Sequence, residues 1–176
     1  MKRTKCITLC GLMAALASAF MLTSYFPHLT YAIPAMAGLF IMVSVIELNA
    51  KWAVLTYFAS AVIVFLLAEP EAKLLYILFF GYYPILKAVM EKQKSRVLEY
   101  LVKFLIFNLA VILTYGVFAG IFGISLDDFG DFGKYTVAIL LAAANIVFII
   151  YDKAVSQLAG FYMYRLHNTV KRILKQ

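Results

Sequence analysis

Lys2 to Leu22 reads KRTKCITLCGLMAALASAFML, and everything downstream depends on how it is taken. A basic start, a short apolar run and an Ala-x-Ala ending have the form of a cleavable secretory signal. The same letters make a membrane helix with one small-residue face. The apolar stretch runs on past the supposed cut through FMLTSYF (Phe20–Phe26), and no ordinary polar sequence follows it. The expectation is therefore a retained first membrane helix.

Composition sets the class. Of 176 residues, 65% are hydrophobic and only 14% charged, with a mean hydropathy of +0.91. A water-soluble domain of this composition exposes apolar surface over most of its area, so the chain reads as an all-α integral membrane protein. At about 20 residues per crossing there is room for roughly six or seven helices. The net charge of +7 does not point to nucleic acid, because the bases sit at the ends of apolar runs instead of forming one basic face. Cys6 and Cys10 are four apart, on one face of a helix, and read as ordinary helix residues with acylation as the alternative.

Apolar runs bounded by charge, Pro or Gly predict a single six-helix transmembrane domain over 1–176, with crossings at Cys6–Phe26, Tyr31–Ile46, Trp52–Ala68, Lys73–Met90, Val97–Gly123 and Lys134 to about Asp152. With the N-terminus placed in the cytoplasm, only Lys73 and Lys134 of the 16 Lys and Arg fall outside, a strong positive-inside bias. Glu69, Glu71, Asp127, Asp128 and Asp131 lie in the outer loops. After Asp152, Leu158, Phe161, Leu166, Val170 and Ile173 recur at helical spacing opposite Arg165, Lys171, Arg172 and Lys175, which predicts a C-terminal interfacial helical extension on the cytoplasmic side. His167 in this tail reads as solvent-facing.

Several residues stand out against this apolar background. Gly11, Ala15 and Ala19 fall at i, i+4 and i+8, so they line one face of the first helix and let another backbone approach closely. Packing within the bundle and docking of another membrane subunit both fit. Tyr76, Phe80, Tyr83 and Lys87 form an aromatic stripe ending in a base, and tyrosine hydroxyls need partners in a bilayer, so this stripe should face the bundle interior. Gly81 and Pro84 should bend that helix.

Asn108 and Asn145 are predicted at similar depth near mid-membrane, either bonded to each other or to neighbouring helices, or forming the floor of an outward-open pocket. Asp152 near the inner boundary requires a cation, and Lys87 and Lys103 lie at comparable depth. Outside, SLDDFGDFGKY (Ser125–Tyr135) combines acids, aromatics and two glycines, as an ordinary polar loop or as a lid over a small ligand. There is no GxSG, HExxH, EExxxR or Walker A sequence and no Cys/His cluster, so neither an enzyme nor a metal site is expected, and no cofactor. ATP-driven transport would have to borrow its ATPase.

Six short helices, inward termini, a small-residue face on the first helix and a ligand-sized mouth outside together resemble the substrate-binding S component of energy-coupling factor (ECF) transporters. The resemblance rests on KCITLCGLMAALASAF, with an Ala-x-x-x-Ala element at Ala15 and Ala19, and on PHLTYAIPAMAGLF entering the second helix. The turn after that helix, ELNAKWA, has no glycine where the family often does. The resemblance implies that Ala15 and Ala19 face a transmembrane coupling subunit that works with a pair of ATPases. It also implies a ligand in the outer half, release by toppling of the subunit, and a bacterial plasma membrane.

Two functions follow. The first is uptake of a small vitamin-like nutrient, with Tyr31, Tyr76, Asn108, Tyr115, Asp127, Asp128, Tyr135 and Asn145 as candidate substrate contacts and Gly11, Ala15 and Ala19 as the partner-docking face. The alternative is a non-enzymatic scaffold of cell-envelope machinery, with a filled bundle.

Overall fold

A computed structural model describes residues 3–26, 29–92, 95–122 and 136–175. Among them there are helices and no strands: α1 (Arg3–Met21), α2 (Ala32–Glu47), α3 (Ala50–Leu67), α4 (Pro70–Leu75), α5 (Tyr83–Met90), α6 (Arg96–Phe122), α7 (Thr136–Arg165) and α8 (His167–Lys175). A 3-10 turn, Leu22–Tyr25, ends α1, and a π-helical segment, Tyr76–Phe80, joins α4 to α5. Five stretches are long and apolar enough to cross a membrane: Arg3–Tyr25, Ala50–Leu67, Pro70–Met90, Arg96–Thr114 and Leu141–Arg165. The shorter apolar helix α2 has 16 residues and spans about 24 Å at about 1.5 Å per residue. The outward side chains are as apolar as the buried ones, with Leu66, Val97 and Leu105 each about 70% exposed. That inverts the usual soluble pattern and suits a lipid surround.

Local chemistry explains the breaks. Asn49 caps α3 by accepting from the Trp52 amide at 3.2 Å, and Glu69 caps α4 by accepting from the Ala72 amide at 2.7 Å, ahead of Pro70. The bend expected at Gly81 and Pro84 takes the form of the π segment. It closes through Gly81 N–H donating to the Tyr76 carbonyl at 2.8 Å, and the Tyr57 hydroxyl of α3 donates to the Ile77 carbonyl at 2.7 Å. A Cβ at Gly81 would stand 2.8 Å from the Tyr57 ring, so only glycine fits there. Pro84 has no N–H to give to the Phe80 carbonyl four residues back. That oxygen lies against α2, where a Cβ on Gly38 would collide with it.

The last long helix continues past Asp152 into the expected C-terminal extension. It runs unbroken to Arg165, and α8 begins after Leu166. Asp152 need not end an apolar helix when its charge is matched within the bundle, as it is here.

The core falls into three clusters. Met21, Ile33, Ala37, Val64, Ala68, Ala72 and Tyr76 join α1 to α4. Phe79, Tyr83, Phe107, Ala110 and Phe148 join the bent helix to α6 and α7, with Phe107 stacked on Phe148 at 4.5 Å between centroids. Ile41, Ala53 and Ile85 close the end where α3 begins.

Candidate functional site

α6 and α7 carry two polar layers, the second shared with α5, with the Phe79–Phe107–Phe148 cluster packed among these helices. In the first, Asn108 and Asn145 form a reciprocal amide pair: each donates to the other's carbonyl oxygen, at 3.0 and 2.9 Å. Each also donates to the backbone carbonyl one turn back, Phe104 and Leu141 respectively, both at 2.8 Å. Both N–H groups of both amides are thus satisfied, as a low-dielectric setting demands.

The second layer is ionic. Asp152 Oδ1 accepts from Lys87 and from the Tyr83 hydroxyl, and Lys103 Nζ lies 3.4 Å away. Lys87 also pairs with Glu91 at 2.8 Å and Lys103 with Glu99 at 2.6 Å. Lys87 and Lys103 are almost fully buried, so unpaired they would cost several kcal/mol each, of order ~5. One of these lysines was expected to partner Asp152, and both do, Lys87 directly and Lys103 at longer range.

A third polar contact joins the tail to the bundle. Glu47 at the end of α2 accepts from the Tyr162 hydroxyl at 2.8 Å, and His167 Nδ1 lies 3.0 Å from the same oxygen. His167 is therefore half-buried at the α7–α8 junction and not simply solvent-facing. The Glu47 side chain is 2% exposed, so it is a buried partner.

Among the described residues, Tyr31 and Tyr76 lie apart from the Asn108–Asn145 pair. Tyr31 stands just outside α2, exposed, and donates to Glu71 Oε1 at 2.6 Å; that bond, then burial and the charges of Glu71 and Glu69, push its hydroxyl up to about 12. Tyr76 is fully buried in the α1–α4 core, sharing a 2.7 Å hydrogen bond with Ser60. Of the four with described side chains, Asn108 and Asn145 are brought together. Tyr115 lies in α6 with its side chain outside the described residues, and Asp127, Asp128 and Tyr135 are outside them altogether. Among the described residues, no group of three His, Cys, Asp or Glu could hold a metal ion.

The docking candidates sit together. α1 turns Cys6, Leu9, Cys10, Ala14, Ala17 and Ser18 inward, whereas Gly11, Ala15 and Ala19 are exposed beside the exposed Leu12 and Leu16. A Cβ on Gly11 would meet nothing within 4 Å. No family model, curated protein or solved structure matches this chain.

Proposed function

We propose that the chain is the membrane-embedded substrate-binding subunit of an uptake system for a small vitamin-like nutrient, working with a separate transmembrane coupling subunit and a pair of ATPases, as ECF S components do. In this reading six helices cross a bacterial plasma membrane, both termini are cytoplasmic, and α8 rests on the inner surface. The subunit itself catalyses nothing.

The observation that carries this reading is the two-sided use of small residues on α1. One set packs inward against α2 and α3. The second set, Gly11, Ala15 and Ala19, stays uncovered with space above it. A side chain that meets only lipid gains nothing from being small, whereas close helix docking in a bilayer requires it. In this reading Tyr31, Tyr76, Tyr115, Asp127, Asp128 and Tyr135 contribute substrate contacts, and the Asn108–Asn145 pair is the floor of the site.

The scaffold reading has its own support. Asn108, Asn145 and Tyr76 spend their hydrogen bonds within the protein, as a bundle built for shape alone would have them do. Purification of the tagged protein from its native host in mild detergent, with mass spectrometry of polypeptides and small molecules, separates the two. Uptake predicts a coupling subunit and ATPases, lost on Ala15→Trp or Ala19→Trp, and a retained metabolite. Envelope-assembly proteins with neither ATPase nor metabolite support the scaffold.

A further inference from the structure

Where α3 begins and α5 ends, the two helices leave a shallow apolar groove of about 350 Å³, lined by Val54, Tyr57 and Phe58 from α3 and Ile85, Leu86 and Val89 from α5. Tyr57 contributes only its ring, because its hydroxyl is bonded to Ile77. The volume lies near the small end of ligand sites, about 300 Å³.

Two lysines stand at one end of this groove. Lys51 precedes Val54 and Phe58 by three and seven residues, which places it on the same face of α3. Lys92 follows Val89 and Ile85 by the same intervals, in the turn directly after α5, where its amide bonds back to the Val89 carbonyl at 3.4 Å. The antiparallel helices put both at the same edge, since Ala50, Ala53 and Ile85 pack in one cluster.

Both lysines are exposed, and neither makes an ion pair among the described residues. The nearby acids are already taken, Glu91 by Lys87 and Glu47 by Tyr162 and His167. Lys51 also sits in the first turn of α3, where it adds to the positive end of the helix dipole instead of offsetting it.

We infer that the groove holds an acyl chain of an anionic phospholipid, with the lipid phosphate between Lys51 and Lys92. The apolar walls take the chain, and two unmatched cations one turn beyond them select the headgroup. This site does not depend on what the outer half binds.

Native mass spectrometry of the detergent-purified protein, with phosphatidylglycerol or phosphatidylcholine of the same acyl chains added, tests it. The expected result is preferential retention of phosphatidylglycerol. Lys51→Gln with Lys92→Gln should weaken it roughly 30-fold, each cation contributing about 5-fold. Val89→Trp, which fills the groove, should weaken both lipids, and the exposed Lys153→Gln should change neither. Elution profile and thermal unfolding establish that each variant is folded. Equal retention of the two lipids, or undiminished phosphatidylglycerol on the folded double-lysine variant, overturns the assignment. So does a polypeptide cross-linked from Phe58 in native membranes in place of lipid.

Discussion

Asn108 of α6 and Asn145 of α7 are bonded to each other twice, and each is also bonded to its own helix one turn back. Neither amide keeps a free hydrogen. The pair therefore ties the two longest helices together at one level, and anything that binds there has to exchange these bonds for its own.

Replacing either asparagine by leucine should cost about 1 kcal/mol, since the surviving amide loses its partner in an apolar setting. The double variant should cost clearly less than the sum. Thermal unfolding of the three variants in detergent gives this cycle, and strict additivity would mean that the pair contributes no coupling.

The ionic layer should behave differently. Asp152→Leu leaves Lys87 with Glu91 alone and should cost about 3 kcal/mol or more, as removal of one partner of a buried pair does. Adding Lys87→Met should recover part of that loss. A double variant worse than Asp152→Leu would show that Lys87 is held mainly by Glu91.

Two glycines give opposite expectations. Gly38→Ala places a methyl group against the Phe80 carbonyl and should destabilise by about 2 kcal/mol. Gly11→Ala has open space and should be neutral or stabilise by up to about 1 kcal/mol. Equal melting temperatures for the two would contradict the close approach of α2 to the π segment.

Its hydrogen bond to Glu71 pushes the Tyr31 hydroxyl up to about 12 from the ordinary 10.0. A raised folded-state value means that the Tyr31–Glu71 contact stabilises fully below about pH 10 and is lost as pH rises toward 12. Ultraviolet titration of tyrosinate should show one late ionisation vanish in Tyr31→Phe and move earlier in Glu71→Gln. An unchanged profile in both would place Tyr31 away from Glu71.

Much of the fold was legible because it depends on local rules. Apolar run lengths marked the helices, Gly81 and Pro84 marked the bend, and the cost of Asp152 in an apolar run called for Lys87 or Lys103. The registers between helices were not legible. A membrane helix is apolar all round, so its pattern does not say which face turns inward. Nothing local ties Ser60 to Tyr76, Tyr57 to Ile77, or Glu47 to Tyr162 and His167, residues up to 120 positions apart. The continuation of α7 past Asp152 was legible, because Leu158, Phe161 and Leu166 keep helical spacing beyond it. The small-residue face was visible, but only the packing of α1 shows that Gly11, Ala15 and Ala19 are left outside.

The central claim is that this uncovered face docks a coupling subunit. A photoreactive side chain at Leu12 or Leu16 leaves Gly11, Ala15 and Ala19 intact, and Leu105, exposed on α6, serves as a lipid-facing control. Irradiation in native membranes should join Leu12 or Leu16 to a multi-spanning subunit that copurifies with ATPases, and Ala15→Trp should abolish the product. Lipid adducts alone at all three positions, or a product that survives Ala15→Trp, would contradict the account.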